Sequence, residues 1–512
     1  MNRDKGTCEL EKLPTGIKGL DLIAYGGLPK GRTTLISGTA GSGKTVIAVQ
    51  FLAEGIKNAG EPGVFVTFEE TPTDIRRNML SLGWDVQQWE DEGKWAFVDA
   101  SQYPGTEVIE GGPYDLGALL ARVEHAIAKL GAARVSVDSL GAIFSQFSDA
   151  GTVRRELFRI AVALKRLGVT AVMTAERTEE YGDIARYGVE EIVADNVIVM
   201  RNALYQEKRR RTIEVLKFRG TDHQKGEWPF TVLPGKGIVV TPLSGMQPKQ
   251  KSSTVRISSG IAELDAMCSG GFFRDFIILV SGATGTGKTL MVTHFIGGAA
   301  GKGERCLLFA FEENHEQLLR NANGWGIDFE KMEEAGNLRV VCTYPESACI
   351  ENHLISIRDA IEEFKPARIA IDSLSALERV ATDRSFREFI VALTSFIKQE
   401  QIAGLFTSTT PMLTGSTSVT EAHISTIADS IILLRYAEMF GEVRRGLTVL
   451  KMRGSRHDKD IREVQIDATG MHIGRPFRNV TGILAGTPQH VSHDEIERAG
   501  GLYKEEELAR TR

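Results

Sequence analysis

The chain has 512 residues, more than one hydrophobic core accommodates, and its 42% hydrophobic content, 25% charged content and 53 glycines exclude fibrous and disordered classes and predict a globular α/β protein of about two domains. A net charge of −6 supplies no electrostatic footprint for nucleic acid or an anionic membrane, so neither is an expected partner, although a local basic patch stays possible. Five cysteines, Cys8, Cys268, Cys306, Cys342 and Cys349, have neither CxxC spacing nor a disulfide framework and are expected as reduced, mostly buried thiols. The first residues lack a signal peptide's apolar core, and no apolar run reaches the roughly 18 residues of a membrane span, so a cytoplasmic protein is expected.

In chain order, the first strong element is the apolar run Thr33–Ser37, followed by Gly38-Thr-Ala-Gly-Ser-Gly-Lys44-Thr45 and a helix from Val46 to about Lys57. Strand, GxxxxGK[ST] and helix in that order make a phosphate-binding loop. Gly41, Ser42 and Gly43 let consecutive backbone N–H groups converge on a phosphate. Lys44 then meets the β and γ phosphates of a nucleotide, as in ATPases and GTPases, and the Thr45 hydroxyl ligates Mg²⁺. Short apolar runs follow at 64–68, 135–137, 169–174 and 197–200, without polar alternation, and amphipathic stretches fall at 116–130 and 153–167. This alternation predicts an open, mostly parallel sheet flanked by helices on both faces, with nucleotide at the carboxyl ends of the strands, as in RecA-like ATPase cores.

The chain then repeats itself. A second loop, Gly282-Ala-Thr284-Gly285-Thr286-Gly287-Lys288-Thr289, follows the apolar run 276–280 and leads into an amphipathic helix. It lies 282 − 38 = 244 residues after the first. Phe68-Glu69-Glu70 matches Phe311-Glu312-Glu313, and three further pairs share one offset, since 372 − 138, 429 − 195 and 451 − 217 all equal 234. Two tandem RecA-like domains are therefore expected at 1–240 and 257–481. A Pro-, Ser- and Lys-rich linker at 241–256 separates them, and a charged tail at 482–512, mobile or helical, follows.

Asp138 and Asp372 each end an apolar strand, where a Walker B carboxylate holds the metal's water shell; the alternative is a cap on the element that follows. Glu69-Glu70 and Glu312-Glu313 also stand at strand ends. A carboxylate there can take a proton from an attacking water or hydroxyl, and a like-charged neighbour would raise the pKa of one member. The alternative is that the acids favour the first turn of the next helix. Lys217-Phe-Arg219 and Lys451-Met-Arg453 place two cations on one face of a strand, as a solvated edge strand would, or as fingers reaching a neighbouring subunit's γ-phosphate. Arg379 and Arg445 are further cations of the second copy, with surface ion pairing as their ordinary explanation. The copies differ at Ser425-Thr426, which aligns with Glu191-Ile192, so the first copy has no hydroxyl there. Spacing alone favours a helix cap or polar turn; the other reading is a pair of phosphoryl acceptors with Glu312 as base.

The double phosphate-loop layout, Phe311-Glu-Glu313, Ile371-Asp-Ser-Leu-Ser-Ala-Leu377, His423-Ile-Ser-Thr-Ile427 and Lys451-Met-Arg-Gly-Ser455 with His457-Asp458 closely resemble the KaiC family of circadian-clock ATPases and autokinases, from about residue 10 to about 480. The resemblance implies a double-ring homohexamer with ATP and Mg²⁺ between neighbouring subunits. The first copy would hydrolyse ATP slowly, and the second would phosphorylate Ser425 and Thr426 of the adjacent subunit and later return the phosphate. It also implies nucleotide contacts from Gly41 to Thr45, Ser81, Lys217, Arg219, Thr221 and His223 in the first copy. In the second they are Thr284 to Thr289, Trp325, Arg445, Lys451, Arg453 and His457, although Trp325 also reads as a core aromatic. Thr45, Thr289, Asp138, Asp372 and Glu312 would serve the metal, and Thr420 would modulate the acceptors. A KaiB-like partner on the first copy follows from resemblance alone. The sequence departs from the family pattern after Gly482, where KaiA docks in the clock system, so dependence on KaiA is not implied. A nucleic-acid motor and an assembly scaffold without kinase activity are the alternatives on the same core. The acidic balance and the lack of a Lys/Arg stripe interleaved with aromatics weigh against the motor.

Overall fold

Strands that are apolar on both faces are stable only between two layers of helix, and the first half of the chain supplies them in alternation. The structure, a computed structural model, describes residues 10–100, 116–144, 149–185, 190–205, 208–241, 252–410, 424–439, 441–478, 480–483 and 489–490. Cys8, Thr420, residues 242–251 of the expected linker and most of the expected tail lie outside them. The chain divides into two compact units, Met1–Gly245 and Met246–Arg512.

Numbering only the strands of the two large sheets and their main helices, the first unit runs β1 (Thr33–Gly38), α1 (Lys44–Glu54), β2 (Gly63–Thr67), β3 (Trp95–Asp99), α2 (Leu116–Leu130), β4 (Arg134–Asp138), α3 (Ala150–Arg166), β5 (Thr170–Glu176), β6 (Asn196–Tyr205), β7 (Lys208–Phe218), β8 (Glu227–Leu233) and β9 (Gly237–Val240). Its nine strands are ordered β3-β2-β4-β5-β1-β6-β7-β8-β9. The first six in that order are mutually parallel, and β7 to β9 are added antiparallel. The second unit has β10 (Ile277–Gly282), α4 (Lys288–Ala300), β11 (Cys306–Ala310), β12 (Leu338–Cys342), α5 (Ile350–Phe364), β13 (Arg368–Asp372), α6 (Asp383–Gln399), β14 (Ala403–Thr409), β15 (Ser430–Met439), β16 (Glu442–Met452), β17 (Arg462–Asp467) and β18 (Gly470–Pro476). Their order, β12-β11-β13-β14-β10-β15-β16-β17-β18, repeats the first unit strand for strand.

The loop-bearing strand is central in both sheets, and its neighbours in sequence serve opposite faces. Ile36 packs with Ile47 and Phe51 of α1, whereas Leu35 packs with Leu119 and Val123 of α2 and Leu157 of α3, as the alternation of a strand requires. Helix α1 is apolar on most sides because it is itself enclosed; its one buried amide, Gln50, donates to the carbonyl of Ile238 at 3.1 Å and accepts from the Ile238 N–H at 2.7 Å. Helix α4 is buried likewise, with Phe295 in the core against the sheet.

Both β6–β7 and β15–β16 contain a bulge, at Val197/Ile198 and Ile431/Ile432. The extra residues, Leu216 and Leu450, are exposed. A bulge shifts the in–out alternation by one position. Without it Lys217 would follow Ile213 and Val215 into the core; with it Phe218 and Met452 are buried instead. Cys268 and Cys306 are buried and Cys342 and Cys349 partly so, all as free thiols. Among the described residues no helix is long and apolar enough to cross a membrane.

Replacing Phe295, fully enclosed in the second core, by Ala is expected to destabilise that unit by about 3–5 kcal/mol, read as a lowered midpoint in urea unfolding followed by circular dichroism.

Candidate active site

The loop between β10 and α4 turns on two glycines with left-handed backbone, Gly285 (φ 79°) and Gly287 (φ 106°), and Gly41 and Gly43 repeat this at 73° and 93°. Side chains with a Cβ rarely adopt these angles. Lys288 points back into the loop and donates to the carbonyls of Gly282 and Ala283 at 2.9 and 3.0 Å; burial lowers its pKa. Lys44 rests on the Thr39 carbonyl at 3.0 Å.

Asp372 closes β13 directly beneath the loop. Its carboxylate accepts from Thr289 Oγ1 at 2.7 Å and from Thr407 on the intervening strand β14. Asp138 accepts from Thr174 of β5 and from Thr45 in the same way. Neither aspartate caps a helix, so the capping alternative is not realised. Burial pushes both carboxyls up, partly offset by those hydroxyls and by Lys44 or Lys288. A loop hydroxyl joined to an acidic oxygen suits a hard cation such as Mg²⁺, which takes one or two protein oxygens and fills its other positions with phosphate and water. The donor set therefore fits the metal.

The glutamate pairs stand at the same carboxyl ends. Glu69 accepts from Ser139 Oγ at 2.8 Å and Glu312 from Ser373 Oγ at 3.2 Å. Glu312 also pairs with Arg379 at 3.1 Å, where both side chains are exposed and the pair contributes little to stability. Glu70 and Glu313 accept from Asn78 and Asn321, each at 3.3 Å. Neither pair lies in the first turn of the next helix, where the acids are Asp74 and Glu316. The second member of each pair has a raised pKa, but the cause differs from the expectation. Burial is the largest contribution, Asp138 or Asp372 comes next, and the adjacent glutamate contributes less.

Ser81, just past the helix 72–80, donates to the Asn78 carbonyl at 2.7 Å. Trp325 ends the matching helix and packs partly buried against the second core. Arg445 reaches the loop from β16, its Nε donating to the Gly285 carbonyl at 3.2 Å.

The remaining residues gather elsewhere. Lys217 donates to the carbonyls of Glu191 and Ala194 at 2.8 and 2.9 Å, and Arg219 to that of Ile192 at 3.1 Å. Lys451 donates to Ala428 O at 2.7 Å, while Arg453 binds Thr426 O at 2.6 Å and the Asp429 carboxylate at 3.2 Å. Burial lowers both lysine pKa values, and the adjacent arginine adds to it. Thr221 and His223 lie in the turn after β7, and the His223 ring sits 5.6 Å from that of Phe218; His457 occupies the corresponding turn after β16. Ser425 and Thr426 form part of the short helix Ile424–Ile427. Thr426 is exposed, and the side chain of Ser425 falls outside what is described.

Strand register separates the two groups. Ser430, at the amino end of β15, lies beside Ile278, and the loop begins at Gly282 beside Leu434. Four residues of parallel strand span roughly 13 Å. Thr426, Lys451 and Arg453 are thus at the opposite end of the sheet from the loop of their own unit.

Sequence reasoning missed Thr174 and Thr407, the hydroxyls on the intervening strand. They correspond at an offset of 407 − 174 = 233, so the spacing is not uniformly 234. Arg211 was also missed: its Nε donates to Gly41 O at 3.2 Å, as Arg445 does to Gly285 O, and 445 − 234 = 211 would have found it.

A sequence profile described as "ATPase: KaiC" matches residues 13–245 and again 257–477. The chain is 67% identical over 502 residues to the circadian clock protein KaiC3 of Synechocystis sp., covering 98% of this chain and 99% of that one. It is 55% identical over 493 residues to the circadian clock oscillator protein KaiC of Thermostichus vulcanus, and 55% identical over 492 residues to that of Acaryochloris marina, covering in each case 96% of this chain and 94% of the relative. With the profile matched once by each RecA-like unit and two complete phosphate loops above their acidic strand ends, the chain belongs to the KaiC family of ATPases.

Proposed function

We propose that the chain is an ATP-hydrolysing serine/threonine autokinase and autophosphatase that works as a phosphorylation-based timing or signalling switch in the cytoplasm, assembled as a homohexamer. The observation that carries this reading is the placement of the acceptor segment. Thr426 sits at the amino end of its sheet, held by Arg453, while the loop that would bind its unit's ATP is at the carboxyl end. The phosphoryl group would therefore come from a loop other than its own unit's, on this reading that of a neighbouring copy. A neighbour's loop, presenting its γ-phosphate to this edge, would meet the hydroxyl and the cations Lys451 and Arg453 together, with His457 in the adjacent turn. In the first unit Lys217, Arg219, Thr221 and His223 would serve a neighbour's ATP in the same way. There Ile192 replaces the hydroxyl, leaving water as the acceptor.

In the transfer, the acceptor oxygen of Ser425 or Thr426 bonds to the γ-phosphorus and the bond to the bridging oxygen of ADP breaks. The hydroxyl proton passes to Glu312, with Glu313 alongside. In the first unit Glu69 and Glu70 would orient the attacking water. Thr289, Asp372 and Glu312, or Thr45 and Asp138, would hold Mg²⁺, which would supply charge neutralisation at the phosphates. Lys44 and Lys288 leave their resting carbonyls for the phosphate oxygens, an exchange favoured because a lysine on neutral carbonyls gains a charged partner. Gly41, Ser42, Gly43, Thr284, Gly285, Thr286 and Gly287 would offer backbone donors, with Ser81, Trp325 and Arg445 at the nucleotide's flanks. A KaiB-like partner on the first unit is part of the proposal. Control by a KaiA-like protein is not.

Incubation with Mg·ATP followed by phosphate mapping by mass spectrometry should place phosphate on Ser425 and Thr426, and Glu312→Gln should slow its appearance about 10²–10³-fold. Phosphate absent from both positions under all conditions would falsify the autokinase reading. Asp372→Asn should abolish the Mg²⁺-dependent tightening of ATP binding at the second loop, measured with a fluorescent analogue. Because Glu313 has a raised pKa in the fold, it favours folding below the ordinary carboxylate pKa, and that contribution is lost as pH rises through the folded value. Glu313→Gln should accordingly melt higher than the parent near pH 7 and no higher near pH 4.

A further inference from the structure

The two loops are near-copies, and each is reached from outside, the second by Tyr436 Oη on Thr284 O at 3.3 Å and Arg445 on Gly285 O at 3.2 Å; among the described residues only the first has its second residue gripped by a carboxylate. Thr39, second residue of the first loop, donates its hydroxyl to Glu180 Oε1 at 2.7 Å, and the other carboxylate oxygen accepts from the Asn202 N–H of β6 at 2.9 Å. The carbonyl of the same Thr39 is the resting place of Lys44 at 3.0 Å and also accepts from Ser42 Oγ at 2.8 Å. One residue thus couples the loop's lysine to a carboxylate on a separate segment.

That segment, residues 177–185, is fastened along its length. The Arg177 N–H donates to Gly38 O at 3.2 Å and its guanidinium to Gly182 O at 2.9 Å, and Ser37 Oγ donates to the Ile184 carbonyl. Arg201 donates to the Glu180 carbonyl at 3.3 Å and lies over the Tyr181 ring at 5.3 Å. Its guanidinium is held in turn by Glu214 at 2.7 Å and Glu227 at 3.0 Å. The second copy has none of these acids. Ala283 replaces Thr39, residues 411–420 contain no carboxylate, and Thr448 stands where Glu214 does. Lys288 accordingly rests across two carbonyls, those of Gly282 and Ala283.

We propose that Glu180 is a positioning residue for ATP in the first unit: by gripping Thr39 it fixes the carbonyl that stations Lys44, and so sets that loop's affinity for nucleotide independently of the second loop. The proposal rests on the reading that the first loop binds and hydrolyses ATP. A carboxylate aimed at a hydroxyl and an N–H, rather than at the phosphate cradle itself, orders the loop without presenting an uncompensated charge to the triphosphate. Because Lys44 meets the phosphates in the ground state and the transition state alike, losing the grip should act mainly on binding.

The test uses the full chain carrying Lys288→Ala, so that hydrolysis and nucleotide binding report on the first loop. In that background Thr39→Ala is expected to raise KM for ATP, and the Kd of a fluorescent ATP analogue, about three- to tenfold with kcat within about twofold. Thr39→Ser should restore the parent values, Glu180→Gln should weaken binding to a smaller extent, and Thr39→Ala/Glu180→Ala should be no worse than Thr39→Ala alone. The proposal is overturned if Thr39→Ala binds within twofold of the parent, if Thr39→Ser is as impaired as Thr39→Ala, or if the two losses add. A parent chain that binds the analogue without turnover would sink the hydrolysis reading, and the Kd comparison would still decide the role of Glu180. Thr39→Ala and Thr39→Ser carry that comparison even if the Glu180 variants fail to fold.

Discussion

Everything at these sites depends on the parallel register of the central strand. β1 and β10 each lie between one strand that leads back to the acidic carboxyl ends and one that begins at the cationic edge. Since the strands run the same way, the phosphate loop and the cation cluster fall at opposite ends of one sheet and no single unit can bring them together. The division is enforced by backbone hydrogen bonding, the least adjustable part of the fold. On the proposed reading a complete site would be assembled between copies, and a switch built on it would be coupled to assembly from the outset.

Within each carboxyl end, the organising group is a buried aspartate. Asp138 and Asp372 are disfavoured as anions by burial and are retained because two hydroxyls and a loop lysine face them. An unpaired buried charge is among the most costly features a fold can carry, so the hydroxyls on β5 and β14 serve the site as much as the loop does. Burial first, and then the same aspartates, raise the pKa of Glu70 and Glu313. The carboxyl end of each sheet therefore holds one acid bound to a serine hydroxyl and one whose proton is retained to higher pH than usual, which is the separation of roles that proton transfer needs.

Duplication followed by local change accounts for the differences between units. Strand order, loop geometry, the bulge before Lys217 and Lys451, and the tie of an arginine to the loop's fourth residue recur in both. What differs is small and pointed: an isoleucine against a threonine at the amino edge, and a threonine–glutamate grip on one loop against an alanine on the other. Side chains at loop mouths and sheet edges can change without disturbing the core, because few packed neighbours depend on them.

Much of this was legible in the linear chain. The two loops, the aspartates closing β4 and β13, the glutamate pairs and the internal repeat are local patterns whose chemistry depends on near neighbours in sequence, so residue order alone located them. Helices 116–130 and 150–166 were readable for the same reason, their faces being set by a 3.6-residue period. Spacing could not show that Thr174 and Thr407 serve the aspartates, because the intervening strand is inserted between β4 and β1 by topology. Nor could it place Glu180 on Thr39, 141 residues apart. The bulge that turns Lys217 and Lys451 outward was equally hidden, since alternation read along one strand carries no record of its partner's register. The sequence by itself determined what chemistry each half contains. The tertiary structure alone decided which ends of the sheet those groups occupy, because strand order and direction come from pairing between segments far apart in the chain.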